Sequence, residues 1–240
     1  NKEDLMEFRD ASYLDQADMS HWMNVKKEIN LYADIDLDEE LWAPIWEITD
    51  GIIFNGNNHI ISGLYIDGSV KEYGNWEFDN SNSFIRSNSG TVKNLIVEGK
   101  IVINDTHPGS ASGIVAINEG LIVDCTSAVD MDVTLNNSNM AYSYAGISHS
   151  LYSGSIVKGC VNKGYIMLRG DNNGADVNGI ANANYSDSDF WYSNAIIENC
   201  TNYGDLTVSI TNGNSRERVA GIGMAPTKTT CVNYSKIRKT

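Results

Sequence analysis

Six stretches of this chain repeat one another at intervals of roughly thirty residues, and such a repeat restricts the fold more than any single motif does. In each stretch an anchor residue is followed six positions later by an apolar side chain, and all four cysteines are anchors. The steps between anchors are 31, 30, 35, 40 and 31 residues, so the period is kept while loops of different length are inserted. The anchors are Leu64, Leu95, Cys125, Cys160, Cys200 and Cys231.

A Gly-Ile pair recurs before the last four of these stretches, and glycine or asparagine follows several anchors, which indicates strands separated by tight turns. The pairs begin at Gly113, Gly146, Gly179 and Gly221. A stack of parallel β windings tolerates insertions at its corners, whereas a coiled coil needs a strict period. The repeats therefore predict an all-β solenoid of about six windings, in which equivalent residues of successive windings lie over one another.

Residues 1–50 do not follow the repeat, and we expect them to cap the solenoid. Leu5 and Phe8 predict a short amphipathic helix over about residues 2–14. The alternating apolar and polar segment 29–37 predicts an edge strand or a first partial winding. A stack of windings exposes unpaired backbone at its end, so a cap is needed there.

The chain is expected to form one continuous domain, with the cap at 1–50 and the parallel β-helix repeats at 51–240. No secretory signal opens it, yet residue 1 lies almost directly before the helical pattern. We therefore interpret the chain as a fragment of a longer, exported protein.

The charge of the chain argues against two classes of partner. It has 17 basic and 31 acidic side chains and a net charge of −14. Phosphate backbones and anionic membrane surfaces would be repelled. The longest apolar runs are far shorter than the roughly twenty residues that cross a bilayer. We expect neither nucleic-acid binding nor membrane insertion.

The four cysteines are expected to form a column of buried thiols. In-register neighbours on parallel strands lie about 4.8 Å apart, but their side chains point in the same direction, which does not favour a disulfide. Zinc would need ligands that converge tetrahedrally, and a straight column does not supply them. A disulfide within the column stays open as the alternative.

Several segments resemble a known class of bacterial proteins. The run Leu31–Leu37, the segment WAPI at 42–45 and the segment FNGNNHIISGLYI at 54–66 look like the opening module of cell-surface β-helix proteins. The segment GIVAINEGLIVDC at 113–125 is similar to GLUG-type repeats. Such repeats occur in adhesin-like proteins and in the non-catalytic region of some immunoglobulin A metallopeptidases. The resemblance implies a right-handed parallel β-helix, secreted and displayed on a bacterial surface, and it implies no activity.

The best carboxylate cluster has the Asp-x-Asp-x-Asp spacing of a calcium loop, at Asp34, Asp36 and Asp38. The glycine and the bidentate glutamate of such a loop are replaced by Glu39 and Ile45. On a strand, alternate aspartates simply share the solvent face. These three residues are therefore weak calcium candidates, and we expect no metal or other cofactor.

An enzyme is the first alternative, because parallel β-helices also include polysaccharide lyases and glycoside hydrolases. Their chemistry needs paired acids, or acids beside a basic residue. The candidate acids Asp171, Asp176, Asp187 and Asp189 have no recurring spacing that pairs them. The histidines lack the His-Glu-x-x-His arrangement of metallopeptidases. We expect no enzymatic activity.

Two aromatic-rich insertions are the candidate ligand-binding loops. Aromatic rings on loops of a rigid scaffold stack on sugars or anchor protein partners. The alternative, that these rings cover the flank of the solenoid, stays open. The candidates are Tyr73 and Trp76 in the first insertion, and Tyr185, Phe190, Trp191 and Tyr192 in the second.

The sequence thus favours a non-enzymatic, adhesin-like module of the bacterial cell surface. It would present loops on a rigid solenoid to a host or matrix glycan or protein. A carbohydrate-active enzyme on a pectate-lyase-like β-helix and a passive spacer in a larger surface protein are the alternatives. We expect an extracellular monomer.

Overall fold

A computed structural model describes most of the chain, and within that part the chain forms an all-β parallel β-helix, as the repeats predict. Successive windings contribute strands to parallel sheets, which we number 1 to 4 in the order in which the chain visits them. The described residues are 1–14, 19–70, 72–73, 76–77, 81–105, 109–138, 142–172, 174–183, 194–210, 218–225 and 227–239.

The strands of each sheet follow in chain order. Sheet 1 contains Glu28–Asn30, Ile53–Asn55, Thr91–Lys93, Leu121–Val123, Ile156–Lys158, Ile196–Glu198 and Thr227–Thr229. Sheet 2 contains Ile35–Asp36, Ile60–Asp67, Ile96–Asp105, Thr126–Ser138, Val161–Asn162, Ile166–Asn172, Thr201–Asn202, Leu206–Ile210, Val232–Asn233 and Ile237–Lys239. Sheet 3 contains Ser81–Asn82, Ser110–Ser112, Tyr142–Ala145, Ala175–Asn178 and Arg218–Ala220. Sheet 4 contains Ile45–Ile48, Ile85–Asn88, Val115–Asn118, Ser148–Leu151, Ala181–Ala183 and Gly223–Met224.

An α-helix, Lys2–Ala11, covers the N-terminal end of the β-helix. Asn1 caps it, because the Asn1 side chain accepts a hydrogen bond from the backbone N–H of Asp4 at 3.0 Å. Phe8 is buried, and its ring lies 6.0 Å from that of Phe54 in sheet 1. The helix is three residues shorter than the sequence predicts. A 3-10 helix, Met19–Trp22, follows it.

The first winding begins before residue 51. The strand Glu28–Asn30 pairs in parallel with Ile53–Asn55, and Ile35–Asp36 pairs with the strand Ile60–Asp67. The strand Ile45–Ile48 then enters sheet 4. Part of the segment that the sequence assigns to the cap is therefore a winding of the β-helix.

Columns of inward-facing apolar side chains form the core. In sheet 1, register places Ile122, Val157 and Ile197 over one another, and all three are buried. Burying such side chains stabilises the fold by about 1.5–3 kcal/mol each. The same column continues to Lys228 in the last described winding. Sheet 2 shows the same change, because Lys239 lies in register after Val208.

The anchor column begins at Leu95. Val92 pairs with Ile122 and Ile96 pairs with Thr126, so Leu95 and Cys125 occupy equivalent positions at the corner between sheets 1 and 2. The later cysteines follow in the same register.

Leu64 is not a member of this column, and the prediction that it is the first anchor is wrong. Its register partner is Gly99 in the middle of sheet 2. The register shifts between Val97 and Gly99, which marks an irregularity in the pairing with Ile60–Asp67. The spacing of Ile61 and Leu64 within that strand therefore imitates the spacing found at the corner in later windings.

A ladder of buried asparagines crosses the interior behind sheet 2. Asn162 donates to Asn202 at 2.8 Å, and Asn202 donates to Asn233 at 2.9 Å. The corner glycines between sheets 3 and 4 pack against this ladder. A Cβ atom on Gly179 would lie 2.4 Å from Asn202 Nδ2 and 1.9 Å from the carbonyl oxygen of Gly221. The recurring Gly-Ile pair and the recurring asparagine are therefore two sides of one contact.

The contact predicts that Gly179→Ala lowers the free energy of unfolding by at least about 2 kcal/mol, because the added methyl group overpacks the interior. Gly154→Ala is the control. Gly154 has a φ of +86° and open space around it, so alanine there pays roughly 1 kcal/mol for the left-handed backbone alone. Urea unfolding measures both losses. Equal losses would contradict the packing described for Gly179.

Candidate functional site

Two tyrosine rings are stacked on the outside of the β-helix. Tyr203 and Tyr234 directly follow Asn202 and Asn233, which are in register in sheet 2. The ring centroids are 5.1 Å apart and the ring planes differ by 9°. The residues are nevertheless 53% and 65% exposed. This is a rigid aromatic pair that remains open to solvent.

Backbone hydrogen bonds from winding to winding fix the positions of both rings. The N–H of Tyr203 donates to the carbonyl of Asn162 at 2.8 Å, and the N–H of Tyr234 donates to that of Asn202 at 2.8 Å. The asparagine ladder lies directly beneath. The rings are therefore held before any ligand arrives, which lowers the entropy that binding would lose.

Further exposed residues lie beside the stack. Ile166 and Ile237 belong to one inward column of sheet 2, through Leu206. Alternation along a strand places the residues next to them on the outer side. The outer residues are Tyr165, Lys236 and Arg238, and all three are exposed. We call the surface formed by Tyr165, Tyr203, Tyr234, Lys236 and Arg238 the tyrosine face.

The acids next to this face bind the backbone. Asp130 Oδ1 accepts from the N–H of Tyr165 at 3.1 Å, and Asp205 Oδ1 accepts from the N–H of Lys236 at 2.8 Å. Burial raises the pKa of the Asp130 carboxyl. Burial, and then the charge of Asp130, also raise the pKa of the Tyr165 hydroxyl. These acids link neighbouring windings.

A second polar cluster lies where the outer surfaces of sheets 3 and 4 meet. Arg218 binds Asp176 through two hydrogen bonds of 2.7 and 2.6 Å. Asn182 of sheet 4 donates to Ser143 at 3.0 Å and to Asp176 at 3.4 Å. Asp176, one of the candidate catalytic acids, is thus held by an arginine and an amide, an arrangement that ties the two sheets together.

The other candidate acids are not brought together with Asp176. Asp171 lies near the end of the strand Ile166–Asn172 in sheet 2. Asp187 and Asp189 lie outside the described residues.

The calcium candidates have separate partners. Asp34 Oδ1 accepts from the N–H of Ile60 at 2.9 Å and lies 3.1 Å from His59 Nδ1. Asp38 pairs with Lys2 of the helix at 2.8 Å. In the part of the chain that is described, no group of three or more histidine, cysteine or acidic residues could hold a metal ion. The aspartates instead attach the cap to the first winding.

The aromatic residues singled out from the sequence are not resolved into a site. Glu72–Tyr73 and Trp76–Glu77 pair as antiparallel strands, with Tyr73 opposite Trp76. The second insertion lies outside the described residues, including Tyr185, Phe190, Trp191 and Tyr192. Their role in binding stays a prediction.

Sequence reasoning missed the tyrosine stack, although a signal for it exists. Tyr203 and Tyr234 both stand three residues after a cysteine anchor, each directly after an asparagine. Position three past the anchor is Lys163 in the preceding winding. A column that is polar in one winding and aromatic in the next two would have identified an exposed aromatic pair.

The cysteines are free thiols in one column. Each sulfur lies 3.2–3.3 Å from the carbonyl oxygen two residues before it. Burial raises the pKa of the Cys160 thiol, while the hydrogen bond from Cys160 and then burial raise that of Cys200. Cys231 is partly exposed, and burial still raises its pKa. The column is therefore held as protonated, unreactive thiols.

Comparison with known proteins supports the fold. No family model and no curated protein matches the chain. A solved structure of a "putative immunoglobulin A1 protease" from Bacteroides ovatus is similar, with a TM-score of 0.50 and 14% identity over 91% of this chain and 74% of that chain. At this identity the likeness shows a shared fold. No helix in the described ranges is long and apolar enough to span a membrane.

The free column predicts that four thiols react with Ellman's reagent in denaturant. In the native protein Cys231 should react first, and slowly, because it is the member of the column that is partly exposed. Cys231→Ser should remove this first phase and leave the three remaining thiols to appear on unfolding. Fewer than four thiols in denaturant would instead show a disulfide.

The cap predicts a pH dependence for Asp34. The N–H of Ile60, and then His59, lower the pKa of the Asp34 carboxyl. A lowered folded-state pKa contributes stability above the unfolded pKa of about 3.9, and this is lost as pH falls through the folded value. Asp34→Asn should therefore lower the unfolding temperature at pH 7.

The difference between Asp34→Asn and wild type should disappear near pH 3, as measured by thermal unfolding followed by circular dichroism. Asp50→Asn, at an exposed turn position, is the matched control and should match wild type at both pH values. A difference for Asp34→Asn that is independent of pH would contradict the role of the carboxylate.

Proposed function

We propose that this chain is a non-enzymatic, adhesin-like module of the bacterial cell surface that presents a ligand-binding surface on a rigid β-helix. The observation that carries this proposal is the stacked, exposed pair of Tyr203 and Tyr234. Aromatic rings dominate recognition surfaces because they bury a large area and lose little conformational freedom on binding.

The β-helix suits this role mechanically. Every winding pairs with its neighbours through parallel backbone hydrogen bonds, so the outer side chains are spaced at about 4.8 Å along one axis. A ligand with repeating units can then contact equivalent side chains of successive windings. Each weak contact adds to the others, which raises the overall affinity.

The surface location has independent support. The segment at residues 31–66 resembles the opening module of cell-surface β-helix proteins. The Bacteroides ovatus protein that shares the fold is named for immunoglobulin A1. Host proteins therefore belong in the ligand panel beside host and matrix glycans. Trp191 and Trp76 stay predicted contacts for either class.

The proposal is tested by binding of the purified chain to a glycan array and to a panel of host matrix proteins. Tyr203→Ala/Tyr234→Ala should weaken binding to the recognised ligand by about tenfold or more, because each ring contributes about 1 kcal/mol. Tyr32→Ala is the matched control. Tyr32 is 83% exposed near the opposite end of the β-helix, and its loss should leave affinity unchanged.

Two outcomes would overturn the proposal. Release of shortened sugar chains from a polysaccharide by the wild-type chain would show a carbohydrate-active enzyme. Absence of any ligand, together with unchanged adhesion of the parent protein after Tyr203→Ala/Tyr234→Ala and Trp76→Ala/Trp191→Ala, would show a passive spacer.

A further inference from the structure

We infer that the tyrosine face binds an acidic polysaccharide, a sugar chain that carries carboxylate or sulfate groups. This inference rests on the proposed function and names the ligand class of the same surface. It follows from the distribution of charge along the chain, from the outward position of two cations, and from the repetition of tyrosine between windings.

Charge is distributed very unevenly along the chain. Residues 1–50 hold 14 of the 31 acidic side chains and 4 of the 17 basic ones. Residues 218–239 contain five basic side chains and no aspartate or glutamate. The β-helix therefore has an acidic N-terminal end and a basic C-terminal end, although the net charge is −14.

Two of the five cations point away from the protein beside the tyrosine stack. Arg218 is bound by Asp176, and Lys228 donates to the carbonyl of Gly223 at 3.0 Å. Lys236 and Arg238, by contrast, lie on the outer side of sheet 2 and are exposed. They are therefore placed to meet an anionic ligand.

The acidic end lies too far away to repel such a ligand. Six steps separate the first and last strands of sheet 1, which at about 4.8 Å a step places them about 29 Å apart. The Debye length is about 8 Å at physiological ionic strength. A ligand on the last winding therefore experiences the local cations far more strongly than the carboxylates of the cap.

The distances suit a sugar chain. Lys236 stands two residues and Arg238 four residues after Tyr234, so the Cα atoms of Tyr234 and Arg238 are at most about 14 Å apart. A sugar ring can pack its C–H face against an aromatic ring while its acid group meets a cation. Arginine binds carboxylate and sulfate through two parallel hydrogen bonds.

A sugar chain fits this surface better than an acidic peptide does. Peptide anchors bind in desolvated pockets, whereas Tyr203 and Tyr234 stand open on an outer face. The aromatic side chain also recurs at the same position in two successive windings. A repeating polymer matches a repeating surface, because equivalent units can meet equivalent side chains.

The test measures binding of the full chain to immobilised polygalacturonate, which carries carboxylates, and to dextran sulfate, with dextran as the neutral control. Lys236→Gln/Arg238→Gln should weaken binding about tenfold and reduce its dependence on NaCl, because fewer counterions are displaced. Lys26→Gln/Lys27→Gln removes the same charge from exposed positions of the N-terminal segment and should leave affinity within about twofold of wild type.

The tyrosines are tested separately. Tyr203→Ala/Tyr234→Ala should weaken binding about tenfold and keep the salt dependence of wild type, because the rings carry no charge. Circular dichroism confirms that each variant is folded. Poly-glutamate, an acidic chain without sugar rings, should bind more weakly than polygalacturonate and should not distinguish the tyrosine variant from wild type.

Several results would overturn the inference. Unchanged affinity and salt dependence in Lys236→Gln/Arg238→Gln would do so, as would equal binding of poly-glutamate and polygalacturonate. Salt-sensitive self-association without polysaccharide binding, lost in this charge variant, would assign the two cations to a contact between copies. Tyrosine-dependent binding of a neutral glycan or a host protein, without binding of acidic sugars, would reject the ligand class and leave the proposed function intact.

Discussion

Register between successive windings, set by parallel backbone hydrogen bonds, is the constraint on which the rest of this structure depends. It places like residues over like residues, so one substitution pattern produces a column. The asparagine ladder shows how strictly this holds inside, because each amide meets the next one at 2.8–2.9 Å while a corner glycine leaves room for it. The same register outside stacks Tyr203 on Tyr234. Core and surface are therefore two results of one alignment.

Much of this could be predicted from the repeats. The cysteine register, the glycine corners and the parallel β-helix follow from spacings that only stacked windings satisfy. Leu64 shows the limit, because the strand Ile60–Asp67 contains the same apolar spacing as a corner and nothing local separates the two. The partners of Asp34 were also out of reach, since Ile60 and His59 come from the next winding. The tyrosine stack was missed because attention went to inserted loops, whereas register made a surface from the regular coil.

The two ends of the β-helix differ chemically. At the N-terminal end a helix covers the core and carboxylates attach it through Lys2 and His59. In the last described winding, lysines occupy two columns that are apolar in the preceding windings. Inward-pointing charges are a known means of preventing unwanted strand pairing. The basic end beside the tyrosine face thus combines protection of the strands with a surface suited to anions.

A crystal structure of the chain with a short oligogalacturonate tests the central claim most directly, because it shows the register and the ligand together. The sugar rings should pack against Tyr203 and Tyr234, with carboxylates within hydrogen-bonding distance of Lys236 or Arg238. An oligosaccharide bound at another surface, or tyrosines from windings that are not in register, would contradict it.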